Sequence, residues 1–196
     1  MSARAVVSWL ALLAAVAWPG SVRAQAAADG NALRSCVNTA QAFYDWYVPP
    51  WIVAELERPN AMSRLDGPVW ERWRRLDPLT KRRAMFEPAL LRALDDDRAA
   101  QARVTGEIVG LDFDPYIGGQ SGPLGAYVVE RPRLTGDRCR VDVRYVVRGK
   151  KSADVAVAPE LVSHGRVWRF ANFRYADTDL ISVLRALRDD RGKRRR

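Results

Sequence analysis

RCRVDVRYVVR, residues 138–148, is the stretch whose reading decides the fold. Cys139, Val141, Val143, Tyr145 and Val147 alternate with Arg138, Arg140, Asp142, Arg144 and Arg148. A period of two sets one face of a β-strand against a core and the other against water. Only Val146 interrupts the charged face. Working outward, residues 127–134 read as the preceding strand and Gly149-Lys150-Lys151 as a turn. Ala153, Val155 and Val157 alternate into a third strand, and Ser163-His164-Gly165 turns into a fourth, residues 167–175. In that last strand Trp168 and Phe170 share one face while Val167, Phe173 and Tyr175 share the other. That pattern predicts either a strand covered on both sides or a bulge. An antiparallel sheet of about four strands follows.

The helices flank it. Val37, Ala40, Phe43, Tyr44 and Tyr47 recur at helical spacing over residues 33–48, and Pro49-Pro50 ends that run. The aromatic string FYDWY makes this helix the natural cover for the sheet. Pro68 opens a short helix with Val69, Trp70, Trp73 and Leu76 in one stripe, and Asp77-Pro78 ends it. A third, residues 88–103, turns Leu90, Leu91, Leu94 and Ala102 inward and Asp95-Asp96-Asp97 outward. Asp177 or Thr178 caps a final helix with Leu180, Ile181, Leu184 and Leu187 on one side. The class is α+β: a curved antiparallel sheet packed by N-terminal helices and a C-terminal helix.

Length and composition agree with one domain. A chain of 196 residues, 48% hydrophobic, can bury a core of its own. The first 24 residues read as a leader: a charged start, an apolar core over residues 5–17, the breakers Pro19 and Gly20, and Val22-Arg23-Ala24 before Gln25. An uncleaved anchor is the other reading, which the short apolar core disfavours. The expected organisation is a signal peptide over 1–24, one domain over 25–190, and a basic disordered tail over 191–196. The chain is expected to be soluble and periplasmic or secreted. The formal net charge of +9 is largely terminal. The leader's two arginines and the five cations of RGKRRR account for seven, leaving about +2 on the body.

Export bears on Cys36 and Cys139, the only two cysteines. An oxidising compartment favours a disulfide, and Cys139 lies on the inward face of its strand; a pair of buried free thiols is the alternative. With no Cys-x-x-Cys and one histidine, His164 in a turn, zinc, thioredoxin-type and His-dependent triad chemistry lack their residues. No metal site and no cofactor are expected. Asp112 and Asp114 resemble the start of a calcium loop, but Ile117 stands where that loop needs Gly and no Glu closes it. Asx-turns are the ordinary use of such residues. Asp45 is either a base beside an apolar pocket or a solvent-facing acid. Arginines and lysines among the tryptophans of residues 70–83 suit an amphipathic surface helix, a nucleic-acid contact or a membrane surface.

Taken in order, the FYDWY helix, FEPALLRAL, the DFDPY loop with Gln120, VWRFANFRY and DLISVLRAL give the chain a likeness. It resembles the family of exported bacterial proteins called domain of unknown function 3828 over about residues 36–187. The signature positions matched are Phe43, Tyr44, Trp46, Tyr47, Asp114, Pro115, Tyr116, Gln120, Trp168 and Tyr175. Residues 51–83 are longer and more basic than that family's pattern. The resemblance implies a cone similar to nuclear transport factor 2, a curved sheet with helices closing a pocket. It brings no assigned activity and no catalytic residue.

The expected function is a non-catalytic module binding a small ligand or an envelope protein. Its pocket candidates are Tyr44, Asp45, Tyr47, Asp112, Asp114, Tyr116, Gln120 and Tyr175. Nucleic acid is not expected as a partner. A cone-fold isomerase or hydrolase using these Asp and Tyr residues is one alternative. The other is a binder of anionic surfaces through the basic tail and the Trp/Arg helix.

Overall fold

A computed structural model describes residues 19–58, 67–120 and 122–194. The apolar core of the predicted leader, residues 5–17, lies outside them. Six helices and five strands follow one another: α1 (Pro19–Tyr47), α2 (Pro50–Leu56), α3 (Pro68–Arg74), α4 (Pro78–Lys81), α5 (Pro88–Gln101), β1 (Ala126–Thr135), β2 (Arg138–Val147), β3 (Lys150–Lys151), β4 (Ala158–His164), β5 (Val167–Arg174) and α6 (Leu180–Arg194). Four of these helices, α2 to α5, open with proline in the first turn. There the missing N–H costs nothing and the ring presets the helical φ. Among the described residues no helix is long and apolar enough to cross a membrane.

The strands form one antiparallel sheet in the order β1-β2-β4-β5, with β3 pairing the far end of β2. Cys139, Val141 and Val143 of β2 are fully buried, as their alternation requires. The last strand carries a bulge: Glu160 faces Asn172 but Leu161 faces Phe170, leaving Ala171 as the extra residue. The added residue returns Phe173 to the face of Trp168 and Phe170, and all three are buried. One more strand residue than expected thus explains the apparent two-faced pattern.

The third strand lies later in the chain than the alternation of Ala153, Val155 and Val157 suggests. β4 is Ala158–His164, and Val157 only bridges Val143. Two interactions curl residues 152–154 away from a regular ladder, although Ser152 and Ala156 N–H still donate to the Tyr145 and Val143 carbonyls of β2. The Arg144 guanidinium donates to the carbonyls of Ser152 and Ala153, and the Ser152 hydroxyl closes a turn on the Asp154 carbonyl at 2.8 Å.

Helix α1 buries Cys36, Ala40, Phe43, Tyr44 and Tyr47 at helical spacing. Cys36 is joined to Cys139 by a disulfide with the Cα atoms 6.5 Å apart, tying the helix to β2. Gln41 meets the free edge of β1. Its Nε2 donates to the Tyr127 carbonyl at 2.9 Å and its Oε1 accepts from Val129 N–H at 2.9 Å. A side-chain amide thereby takes the place of a neighbouring strand and closes an edge that would otherwise be open to pairing. The other edge, on β5, is covered by the segment before α5, where Glu87 N–H donates to the Phe170 carbonyl at 2.8 Å.

The C-terminal segment departs from the expected disordered tail. Helix α6 continues to Arg194, and Arg191 reaches Asp97 at 2.6 Å and the Val109 carbonyl at 2.8 Å. Asp97, at 5% exposure, is buried rather than outward, because it falls three residues after Leu94 on the inward stripe of α5. The cap of α6 is Asp179, whose carboxylate accepts from Ser182 N–H and hydroxyl, rather than Asp177 or Thr178.

Candidate functional site

The densest meeting of polar groups within the core surrounds the loop 112–120. Helix α1 supplies its roof through consecutive aromatics. Phe43 stacks on Tyr47 with centroids 5.7 Å apart and lies 4.9 Å from Phe170 of β5. Tyr44 stacks on Tyr127 of β1. Trp73 of α3 donates its indole N–H to the Tyr47 carbonyl at 2.8 Å, so the short tryptophan helix braces α1 from outside.

The loop folds on itself through Asp114. Its Oδ1 accepts from Tyr116 N–H at 2.9 Å, making the Asx-turn that Asp-Pro sequences favour. Asp114 N–H donates to the Gly119 carbonyl and Gly118 N–H to the Asp114 carbonyl, at 2.8 and 2.9 Å. Gly118 has φ +70°, and a Cβ there would stand 2.6 Å from the Ala156 carbonyl oxygen. Only glycine permits that turn.

Three phenols then fasten the loop at three consecutive residues. Tyr47 donates to Asp114 Oδ2 at 2.5 Å, Tyr175 to the Pro115 carbonyl at 2.9 Å, and Tyr44 to the Tyr116 carbonyl at 2.9 Å. Two phenols come from α1 and the third from the end of β5, so helix, loop and sheet are joined at one point. Phe113 meets the Tyr175 ring edge-on at 5.3 Å, and Tyr116 packs edge-on to Phe173 at 5.5 Å.

Burial sets the protonation of the group. It pushes the Asp114 carboxyl up to about 6, against the opposing pull of the Tyr47 hydroxyl and the Tyr116 and Ile117 N–H groups. Burial also raises Tyr44, Tyr47, Tyr116 and Tyr175 above the ordinary phenol value, and the Asp114 charge adds to the effect in each. These phenols stay neutral and supply no phenolate. Both Asp114 oxygens are engaged within the fold, one by a phenol that does not ionise. The arrangement binds its own loop.

Five of the eight pocket candidates, Tyr44, Tyr47, Asp114, Tyr116 and Tyr175, thus come together, and they pack on one another. The other three lie outside this group. Asp45 is exposed on α1 and accepts from Gln41 at 2.8 Å; Asp112 and Gln120 are exposed on the loop. Asp45 borders a shallow apolar cleft of about 330 Å³ with Val48, Val53, Ala54, Glu57 and Tyr127.

Several cations of the Trp/Arg region are occupied. Trp70 and Trp73 are buried at 2% and 7% exposure, so their rings face the core rather than an external surface. The Arg72 guanidinium lies 4.3 Å from the Trp51 ring centre and that of Arg82 4.8 Å from Trp46. Arg83 forms a two-point pair with Asp95. Among the described residues no group of three or more His, Cys, Asp or Glu gathers in a way that could hold a metal ion.

Two polar devices escaped the sequence reading. Gln41 sits beside FYDWY and looks like an ordinary helix surface residue. Gln101, at the end of α5, accepts from Val109 and Gly110 N–H at 2.8 and 3.0 Å and donates to the Glu107 carbonyl at 3.0 Å. With Asp97 and Arg191 it moors the stretch leading into the loop. No local pattern marks either glutamine, because their partners are backbone groups brought close only by the fold.

No family model, no curated protein and no solved structure matches the chain.

Proposed function

We propose that this chain is an exported, non-catalytic module that binds a small ligand or an envelope protein on its surface. In this reading the phenol-carboxylate group is a scaffold rather than a reaction centre. The plan is that of domain of unknown function 3828, with a nuclear transport factor 2-like cone whose interior is filled by its own loop. The observation that carries the reading is the engagement of Asp114 on both oxygens, by Tyr47 and by Tyr116 N–H. A base must reach a substrate proton, and this one is spent on the fold. Export is supported by the Cys36–Cys139 bond, which persists in oxidising compartments, together with the leader pattern of residues 1–24. The module needs no cofactor.

Tyr47→Phe separates scaffold from site. A scaffold loses stability, since a buried carboxylate is left short of a donor, by roughly 1–3 kcal/mol. A melting temperature raised by the substitution would mark Tyr47 as a strained functional group and favour the cone-fold enzyme. Intact mass of exported material should begin at Gln25, and a species retaining residues 1–24 would contradict export with cleavage.

A further inference from the structure

We propose that the charged face of the sheet, at the end holding the β1–β2 and β4–β5 turns, docks on the phosphate-bearing headgroups of an anionic lipid surface. The alternation that buries Cys139, Val141 and Leu161 sends Arg138, Arg140, Glu160 and Val162 to the opposite face. Towards β3 the charges of this face are matched. Arg144 and Lys151 hold Glu130 at 2.8 and 2.5 Å, and Arg133 clasps Asp142 with two bonds at 2.9 and 3.0 Å.

At the turn end they are not. The side chains of Arg138, Arg140 and Arg169 have no ion-pair or hydrogen-bond partner among the described residues, and neither has that of Arg166 in the turn. The register sets Arg133 directly opposite Arg140, and Val162 between Arg138 and Arg169. Like charges directly opposite each other destabilise a sheet, and an acid at either position would relieve them. The Nε of Arg169 is buried without an acceptor. Between the strands is a hollow of about 290 Å³ lined by Arg133, Thr135, Arg138, Cys139, Arg140 and Glu160. Glu160, the one acid lining it, is held by Arg174.

Guanidinium forks match the oxygens of phosphate in geometry and charge, so the unmet demand is for an external oxyanion. The site is shallow and its cations largely solvated, and a single small ion gains little there. A layer of fixed anions engages several arginines at once across strands about 4.8 Å apart. The body of the chain carries only about +2, so this patch and the five cations of residues 191–196 are the two candidate sources of attraction, and the control below separates them. Val167, 54% exposed beside the β4–β5 turn, is the one large apolar side chain exposed at this end, too little to insert deeply, so docking is peripheral and salt-sensitive.

The test uses the full exported chain with its disulfide intact, cosedimented with phosphatidylcholine vesicles with and without about one-third phosphatidylglycerol. Retention is expected on the anionic vesicles at low salt and should vanish near 0.5 M, where the screening length falls to a few ångströms (~4 Å). The variant R138Q/R140Q/R169Q should bind about a hundredfold more weakly, each cation contributing about fivefold. A charge-matched control, K193Q/R195Q/R196Q, should stay within about threefold of the parent. Absence of retention at low salt overturns the proposal, as does an equal loss in the two variants. Inorganic pyrophosphate binding to the parent without vesicle retention also overturns it, in favour of a small-anion site. If the triple variant does not fold, R140E decides: vesicle binding reduced at least tenfold supports docking, and unchanged binding refutes it.

Discussion

Around Asp114 the hydroxyls of Tyr44, Tyr47 and Tyr175 and both carboxylate oxygens have partners, whereas on the far face of the same sheet the side chains of Arg138, Arg140 and Arg169 have none among the described residues. The difference follows from the cost of leaving a group unpaired. In the core a missing partner costs roughly 1–3 kcal/mol, so the donors and acceptors around Asp114 are matched, with the buried Trp70 indole N–H an unpartnered exception elsewhere in the core. On the face, water solvates the exposed ends of the guanidinium groups, although the Arg169 Nε is buried without an acceptor, and unpaired charge persists where it is useful to recognition. The residues that look most chemical in the sequence are therefore the ones most committed to holding the fold. Among the residues free to meet a partner are the arginines of β2 and β5 on the outward face.

The largest effect expected is on the interior side. The Cys36–Cys139 bond closes a loop of 103 residues and fixes the aromatic helix over the sheet. Replacing both cysteines with serine should cost about 4–5 kcal/mol in the chain-entropy model, read as a fall in the denaturant midpoint. Thiol labelling of denatured, unreduced protein should find no reactive cysteine. Two labels before reduction would remove the bond from this account.

Next comes the acid at the centre. Asp114 titrates near 6 in the folded chain against an ordinary 3.8. Its contribution to stability is fully present below about pH 3.8 and is lost as pH rises through 6, on the order of 2–3 kcal/mol in all. Comparing the parent with Asp114→Asn between pH 4 and 7 isolates this, since the parent's relative stability should fall across that window. Asp77 acts in the opposite sense. The side-chain bond from Arg98 draws it down to about 2, so its contribution is present above about 3.8 and is lost as pH falls through 2. A difference between parent and Asp114→Asn that does not change with pH would mean that the carboxyl is solvated.

A smaller loss is expected at the C-terminus. Arg191→Ala removes the partner of buried Asp97, which keeps only Leu111 N–H at 2.9 Å, and should cost roughly 1–3 kcal/mol. Arg194→Ala, an exposed pair member, should cost under about 0.5 kcal/mol. Equal melting temperatures for the two would return the end of α6 to the status of a solvated tail.

The smallest change belongs to the charged face. Arg140→Glu places an acid opposite Arg133 and should leave stability within about 0.5 kcal/mol or raise it slightly. A large loss would show that the arginine is structural, and the contrast between the two faces would fail.

What was legible in the sequence was whatever repeats locally. The alternation of residues 138–148 gave β2 and its inward cysteine, and helical spacing gave the buried face of FYDWY. The tryptophan stripe of α3 was readable for the same reason. What stayed hidden depends on contacts across the fold. Asp114 turns inward and Asp112 outward because Gly118 folds the loop back, which no spacing encodes. Asp97 reads as one of three equivalent acids until Arg191, distant in sequence, arrives beside it. Gln41 becomes a strand mimic only once β1 lies alongside α1.

The claim that the interior is a closed scaffold can be measured through its phenols. Tetranitromethane nitrates accessible tyrosines, and of the six in the chain only Tyr145 is a half-buried strand residue without a hydroxyl bond into the loop or a stacked partner. Mapping of modified sites in the native protein should find Tyr145 nitrated and Tyr44, Tyr47 and Tyr116 protected, with all six reacting after denaturation. Nitration of Tyr47 or Tyr116 in the native state at the rate of Tyr145 would show an open cavity around Asp114, and the scaffold reading would give way to a site.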